Sequence, residues 1–207
     1  MGEIRLLDSF RFFVSSLTGF FSQPKYFRFS LKKQLLLPNW SIAQYFFTED
    51  CARDLVHKLN RFANPCCLCT PMIGKIWQDM GRVVRILDID ERLNFLPGFK
   101  KFDITRPEPL SEIFDVIIVD PPLDLALEVV LDAVNMVTRK RYDTNLAILH
   151  ETNTANSLFK HFEPYGLSPT YYSPVYCHVR KSARHQFMFY ANFDISFGNN
   201  GGSEFGT

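Results

Sequence analysis

The stretch Phe114-Asp115-Val116-Ile117-Ile118-Val119-Asp120-Pro121-Pro122-Leu123-Asp124 limits the fold more than any other. From Val116 to Val119 the apolar run has no polar break, whereas a half-exposed strand would alternate. β-Branched residues fit a pleated strand. An unbroken apolar run fits a strand covered on both faces, as in a parallel sheet beneath helices. The run then meets a carboxylate and two prolines. Proline lacks an N–H and fixes φ, so the strand ends on a stiff corner.

The flanking segments have the pattern that such a strand needs. From Thr48 the chain reads as a helix, with Thr48 as N-cap, Asp50 in the first turn and Leu55, Val56 and Leu59 on one side. "PCCLCT" reads as a short buried strand, and "MIGKIWQDMG" as a helix closed by Gly81. "RVVRILDID" is a second strand, which makes "FDVIIVD" the third. "DLALEVVLDAVNMVTRK" is expected to be a helix with Asp124 near its start and Arg139 and Lys140 near its end, matching the helix dipole. "TNLAILHE" is a fourth strand and "ANSLFKHFEPYG" another helix. "QFMFYANFDISF" closes the pattern as a long alternating strand, antiparallel and at or near the sheet edge. Strands alternating with helices predict an α/β sheet with helices on both faces. The expected organisation is a lead segment over 1–38, one domain over 39–197 and a glycine-rich polar tail over 198–207.

Composition narrows the class. At 207 residues and 46% hydrophobic the chain can bury one sizeable core, where most of its 21 phenylalanines belong. The net charge of +1 neither demands nor excludes a nucleic-acid partner. Cys51, Cys66, Cys67, Cys69 and Cys177 include the run "CCLC", which is not the C-x-x-C of a zinc knuckle. They read as small buried hydrophobes in a reducing compartment, and no metal site is expected. No apolar run reaches the ~18–20 residues of a membrane span. "FRFFVSSLTGFF" is broken by Arg11, Ser15, Ser16 and Gly19 and lacks a signal-peptide pattern. A cytoplasmic or nuclear protein with no membrane partner is the expectation.

In open parallel sheets, ligands bind beyond the carboxyl ends of the strands. Thr70 and Pro71 follow the first strand, and Asp88 and Asp90 end the second. Asp103 follows "PGFKKFDI", and Asp120 with Pro121 and Pro122 follows the third strand. Acids at successive strand ends suit a cofactor with ribose hydroxyls and an adenine amine to donate. An isolated Asp-Pro-Pro is an ordinary strand-ending turn; beside these acids it becomes a held acceptor. An amine that donates there has its lone pair localised and aligned for attack on a methyl group.

Asp-Pro-Pro at the end of such a strand resembles the signature of amino-group methyltransferases that use S-adenosyl-L-methionine. The wider chain resembles the probable N6-adenine methyltransferase family. "NWSIAQYFF", "CLCTPMIGKIW", "LDIDERLNF", "FDI" at 102–104, "FDVIIVDPPL" and "CHVRKSARHQFMFYANF" match its segments in order, over about 39–194. The resemblance implies a Rossmann-like seven-stranded class I methyltransferase sheet. It implies cofactor contacts at Thr70, Pro71, Asp88, Asp90, Asp103 and Asp120, and a catalytic corner of Asp120, Pro121, Pro122 and Leu123. Tyr45 and Phe46, with His178 and Arg180, are the expected substrate contacts.

Within that family the chain is most similar to the branch that methylates lysine in translation elongation factor 1-alpha. It lacks the zinc-knuckle array of the ribosomal RNA branch. Leu123 stands where the family has Tyr or Phe, so the π face that would stack on a base or cover an ammonium is missing. Three readings follow. The first is a lysine N-methyltransferase acting on a protein such as elongation factor 1-alpha. The second is an adenine-N6 methyltransferase on RNA or DNA, with His178, Arg180, Lys181, Arg184 and His185 meeting phosphates. The third is a silent subunit that docks a partner through residues 1–38.

Overall fold

The computed structural model describes residues 46–177 and 186–195. The lead segment, Tyr45, the basic run that holds His178 and Arg180, and the glycine-rich tail lie outside them.

The described chain builds one seven-stranded sheet. In chain order the elements are α1 (Glu49–Lys58), β1 (Pro65–Leu68), α2 (Pro71–Asp79), β2 (Arg85–Asp88), β3 (Phe99–Lys101), β4 (Val116–Val119), α3 (Leu127–Thr138), β5 (Asn145–Glu151), α4 (Ala155–His161), β6 (Ser168–Pro169) and β7 (Phe187–Ala191). The sheet order is β3-β2-β1-β4-β5-β7-β6. β1 to β5 are mutually parallel, and β7 runs antiparallel to both β5 and β6. This is the Rossmann-like α/β methyltransferase sheet that the resemblance implied.

The double coverage read from Val116–Val119 is present: all four residues are buried. Their side chains alternate between two cores. Val116 and Ile118 face α1 and α2, packing with Leu55, Ile73 and Trp77. Ile117 and Val119 face α3 and α4, packing with Val130, Val134 and Leu158. Each such side chain removed from water stabilises the fold by about 1.5–3 kcal/mol. Thr48 caps α1, its Oγ1 accepting from Cys51 N at 3.3 Å. Gly74 lets α2 lie close to the sheet, since a Cβ there would stand 2.4 Å from Ile86 Cγ1.

The structure differs from the expected elements in four places. "FKK" at 99–101 is an additional edge strand, paired parallel to β2, so "FDVIIVD" carries the fourth strand and not the third. β6 is a two-residue edge strand. α3 begins at Leu127; Asp124 sits in the preceding turn, where Leu125 N donates to Pro122 O at 3.2 Å. The last strand is five residues long and does not alternate, because both of its faces are covered. It stops at Asn192, whose amide accepts from Leu146 N at 2.8 Å and donates to Thr144 O at 2.9 Å.

Candidate active site

The parallel ladders place three side chains in a row at the carboxyl ends of β2, β1 and β4. Ladder-like hydrogen bonds continue past the strands: Cys69 N donates to Leu87 O at 2.8 Å, and Asp120 N to Leu68 O at 3.2 Å. Asp88, Cys69 and Asp120 therefore end neighbouring strands. Cys69 has φ +58°, a left-handed conformation unusual for a side chain of this kind. That bend turns the chain from β1 into α2 with Pro71 in its first turn. The first-turn N–H groups of a helix lack helical partners and favour anionic groups.

Asp120 is part-buried on the proline corner, with Pro121 buried and Pro122 half-buried. Burial pushes its carboxyl up to about 8, Tyr176 pulls against that, and the Asp88 charge adds to it. Tyr176 Oη donates to Asp120 across 3.1 Å to each carboxylate oxygen. Asp88 is buried, and burial pushes it up to about 6 although its Oδ1 accepts from Asp90 N at 2.9 Å. A buried carboxyl raised in this way is stabilised by donors that are not charged, such as the hydroxyls of a ribose.

The other expected cofactor residues divide. Asp90 caps the turn at Glu91–Leu93, and its two oxygens accept from Arg92 Nε at 2.9 Å each, so its acceptors are engaged within the loop. Asp103 is half-buried beyond edge strand β3. It accepts from Thr105 N at 2.9 Å and Thr105 Oγ1 at 2.7 Å, which hold its carboxyl below the usual range. Thr70 is buried, and its hydroxyl donates to Ile118 O at 3.3 Å, tying β1 to β4. These bonds tie Thr70 and Asp90 to their surroundings at the strand ends.

Among the expected substrate contacts, Phe46 is 4% exposed and its carbonyl accepts from Cys177 N at 2.9 Å. That bond ties Phe46 to Cys177, next to Tyr176. Leu123 is part-buried and packs on the core that contains Phe47. Sequence reasoning missed Tyr176. It stands 56 residues from Asp120, and the pairing of Phe47 with Tyr176 helps bring it there. No local motif marks it.

Among the described residues no group of acids, histidines and cysteines could hold a metal ion, and no helix is long and apolar enough to cross a membrane. Carboxylate acceptors at the neighbouring strand ends, Asp88 and Asp120, fit the hydroxyl and amine donors of S-adenosyl-L-methionine.

A comparison with curated protein sequences finds no match. Solved structures with some likeness include a TehB-like SAM-dependent methyltransferase from Corynebacterium glutamicum (18% identity, 68% of this chain and 85% of that one, TM-score 0.49). The 16S rRNA methylase RmtB is also similar (15%, 92% and 83%, TM-score 0.49). A third is magnesium protoporphyrin IX methyltransferase from Synechocystis with bound SAM (13%, 69% and 76%, TM-score 0.44). Likeness at this level carries no argument about the reaction, and the fold rests on the strand order itself. The family model described as probable N6-adenine methyltransferase matches residues 38–195, most of the 207-residue chain. Together with the strand order and the acceptor row, that match places the chain in the probable N6-adenine methyltransferase family of S-adenosylmethionine-dependent enzymes.

Proposed function

We propose that the chain is an N-methyltransferase that acts on a lysine side chain of a protein, of the kind carried by a translation elongation factor. The observation that carries this reading is the Asp120 carboxyl, set on the rigid proline corner with Tyr176 Oη 3.1 Å from each of its oxygens and pushed up by burial to about 8. A lysine ammonium must lose a proton before its nitrogen has a lone pair to offer. A carboxylate of ordinary acidity is a poor base for that task, and one raised toward 8 is a better match. An adenine amino group is already neutral and needs acceptors only. Leu123 does not separate the two, because an alkyl side chain can pack on a lysine stem or on a base and gives neither a π face.

The residues divide the work. Bound S-adenosyl-L-methionine supplies an electrophilic methyl group on a sulfonium centre. Asp88 holds the cofactor's hydroxyls. Asp120 accepts the hydrogen bond of the incoming ammonium and takes its proton. Pro121 and Pro122 keep that acceptor from turning away, so that orientation is set before the substrate arrives. Leu123 closes the apolar side of the channel.

The family match favours a second reading, transfer to adenine N6 in RNA or DNA. Incubation with methyl-labelled S-adenosylmethionine, elongation factor 1-alpha and total RNA separates the two. Label that resists RNase and appears as methyl-lysine supports the proposal. Label in N6-methyladenine overturns it in favour of the second reading. No label from a chain that binds the cofactor would leave a silent, partner-docking subunit.

A further inference from the structure

Tyr176 reaches Asp120 from a segment that is clamped on both sides. Val175 O accepts from Thr48 N at 2.7 Å, and Cys177 N donates to Phe46 O at 2.9 Å. Val175 N donates to Cys51 Sγ at 3.3 Å. The rings of Phe47 and Tyr176 lie 5.0 Å apart. The hydroxyl is thus fixed by α1 and by the strand-like residues before it, and it meets both carboxylate oxygens at 3.1 Å.

We propose that Tyr176 is a positioning residue: its hydroxyl, held by the 46–51 segment, fixes the rotation of the Asp120 carboxylate and favours its charged form. This rests on the reading of Asp120 as the amine acceptor. A carboxylate that can spin about its terminal bond offers an amine no fixed lone pair. One donor shared between both oxygens sets the plane and leaves the remaining lone pairs toward the open side.

Among the described residues, the other titratable groups that act on Asp120 do not do this. Asp88, at the end of β2, repels its charge. The Cys69 thiol after β1 and the Cys51 thiol on α1 are both pushed up, by burial first and by the Asp120 charge among other causes, so they stay neutral. Tyr176 itself is pushed well above its usual value, so it remains a donor through the working pH range.

The test is a carboxyl-carbon NMR titration of Asp120 in the chain without cofactor or substrate, in the natural protein and in Tyr176→Phe. The phenylalanine variant keeps the ring on Phe47 and removes only the hydroxyl. The expected result is a midpoint raised by about one pH unit, a tenfold change in proton affinity. An unchanged midpoint would show that Tyr176 merely packs, and would overturn the proposal. Should Tyr176→Phe fail to fold, Asp120→Asn gives the reciprocal measurement. Tyr176 should then ionise at lower pH than in the natural protein, and an unshifted tyrosine would overturn the proposal equally. Neither measurement depends on methyl transfer, so a chain with no transferase activity would still decide the role of Tyr176.

Discussion

Removing the charge from Asp120 should make the cofactor-free protein more stable in alkali while harming its chemistry. The carboxyl moves from 3.8 to about 8 on folding, with burial as the main cause. The sign follows directly. Between those values the native state binds more protons than the unfolded state, so stability falls as pH rises from about 4 to about 8. At about 1.4 kcal/mol per pH unit the full penalty would be on the order of 6 kcal/mol. Asp120 is part-exposed, and water reaching it screens that penalty, which brings the expected gain to about 1–3 kcal/mol. Asp120→Asn keeps the shape and an acceptor for Tyr176 but carries no charge. The assay is thermal unfolding of both proteins, without cofactor, from pH 4.5 to pH 9. The melting temperatures should be close at pH 4.5. At pH 9 the variant should melt higher by roughly 2–12 °C, at about 2–4 °C per kcal/mol for a chain of this size. A gap that does not grow with pH, or a variant less stable throughout, would show that the buried charge of Asp120 does not destabilise the fold.

The remaining predictions concern chemistry and packing. Asp120→Ala should abolish methyl transfer while circular dichroism remains native, and retained transfer would remove Asp120 from the mechanism. Gly74→Ala should lower stability by about 1–3 kcal/mol in urea unfolding, because its Cβ would press on the buried Ile86. Thr48→Ala should cost about 1 kcal/mol through loss of the α1 cap, and a neutral result would mean water replaces the hydroxyl.

The apolar run at Val116–Val119 and the capped helix from Thr48 were legible because their signals are local: an unbroken β-branched stretch, and a hydroxyl ahead of an amphipathic pattern. The strand at Phe99–Lys101 was not, since two of its three residues are lysines and its only claim to the sheet is pairing with β2. The start of α3 was misplaced by three residues. Asp124 looks like a helix-starting acid, but the proline corner spends those residues on a turn before Ala126 can enter the helix. The placement of Asp88 and Asp120 at neighbouring strand ends was readable from the apolar runs that precede them. The internal engagement of Asp90 by Arg92, the burial of Phe46 and the approach of Tyr176 were not. Each depends on where a distant or neighbouring side chain settles, which spacing alone does not encode.

If the acid row at the strand ends holds S-adenosyl-L-methionine for transfer, calorimetric titration of the natural chain with that cofactor, beside Asp88→Ala, will show it. Binding to the natural chain is expected at a dissociation constant on the order of micromolar, about −8 kcal/mol, and at least tenfold weaker in the variant. Equal binding in both would remove Asp88 from the cofactor site. No binding to a natural chain shown to be folded would rule out cofactor binding at the acid row.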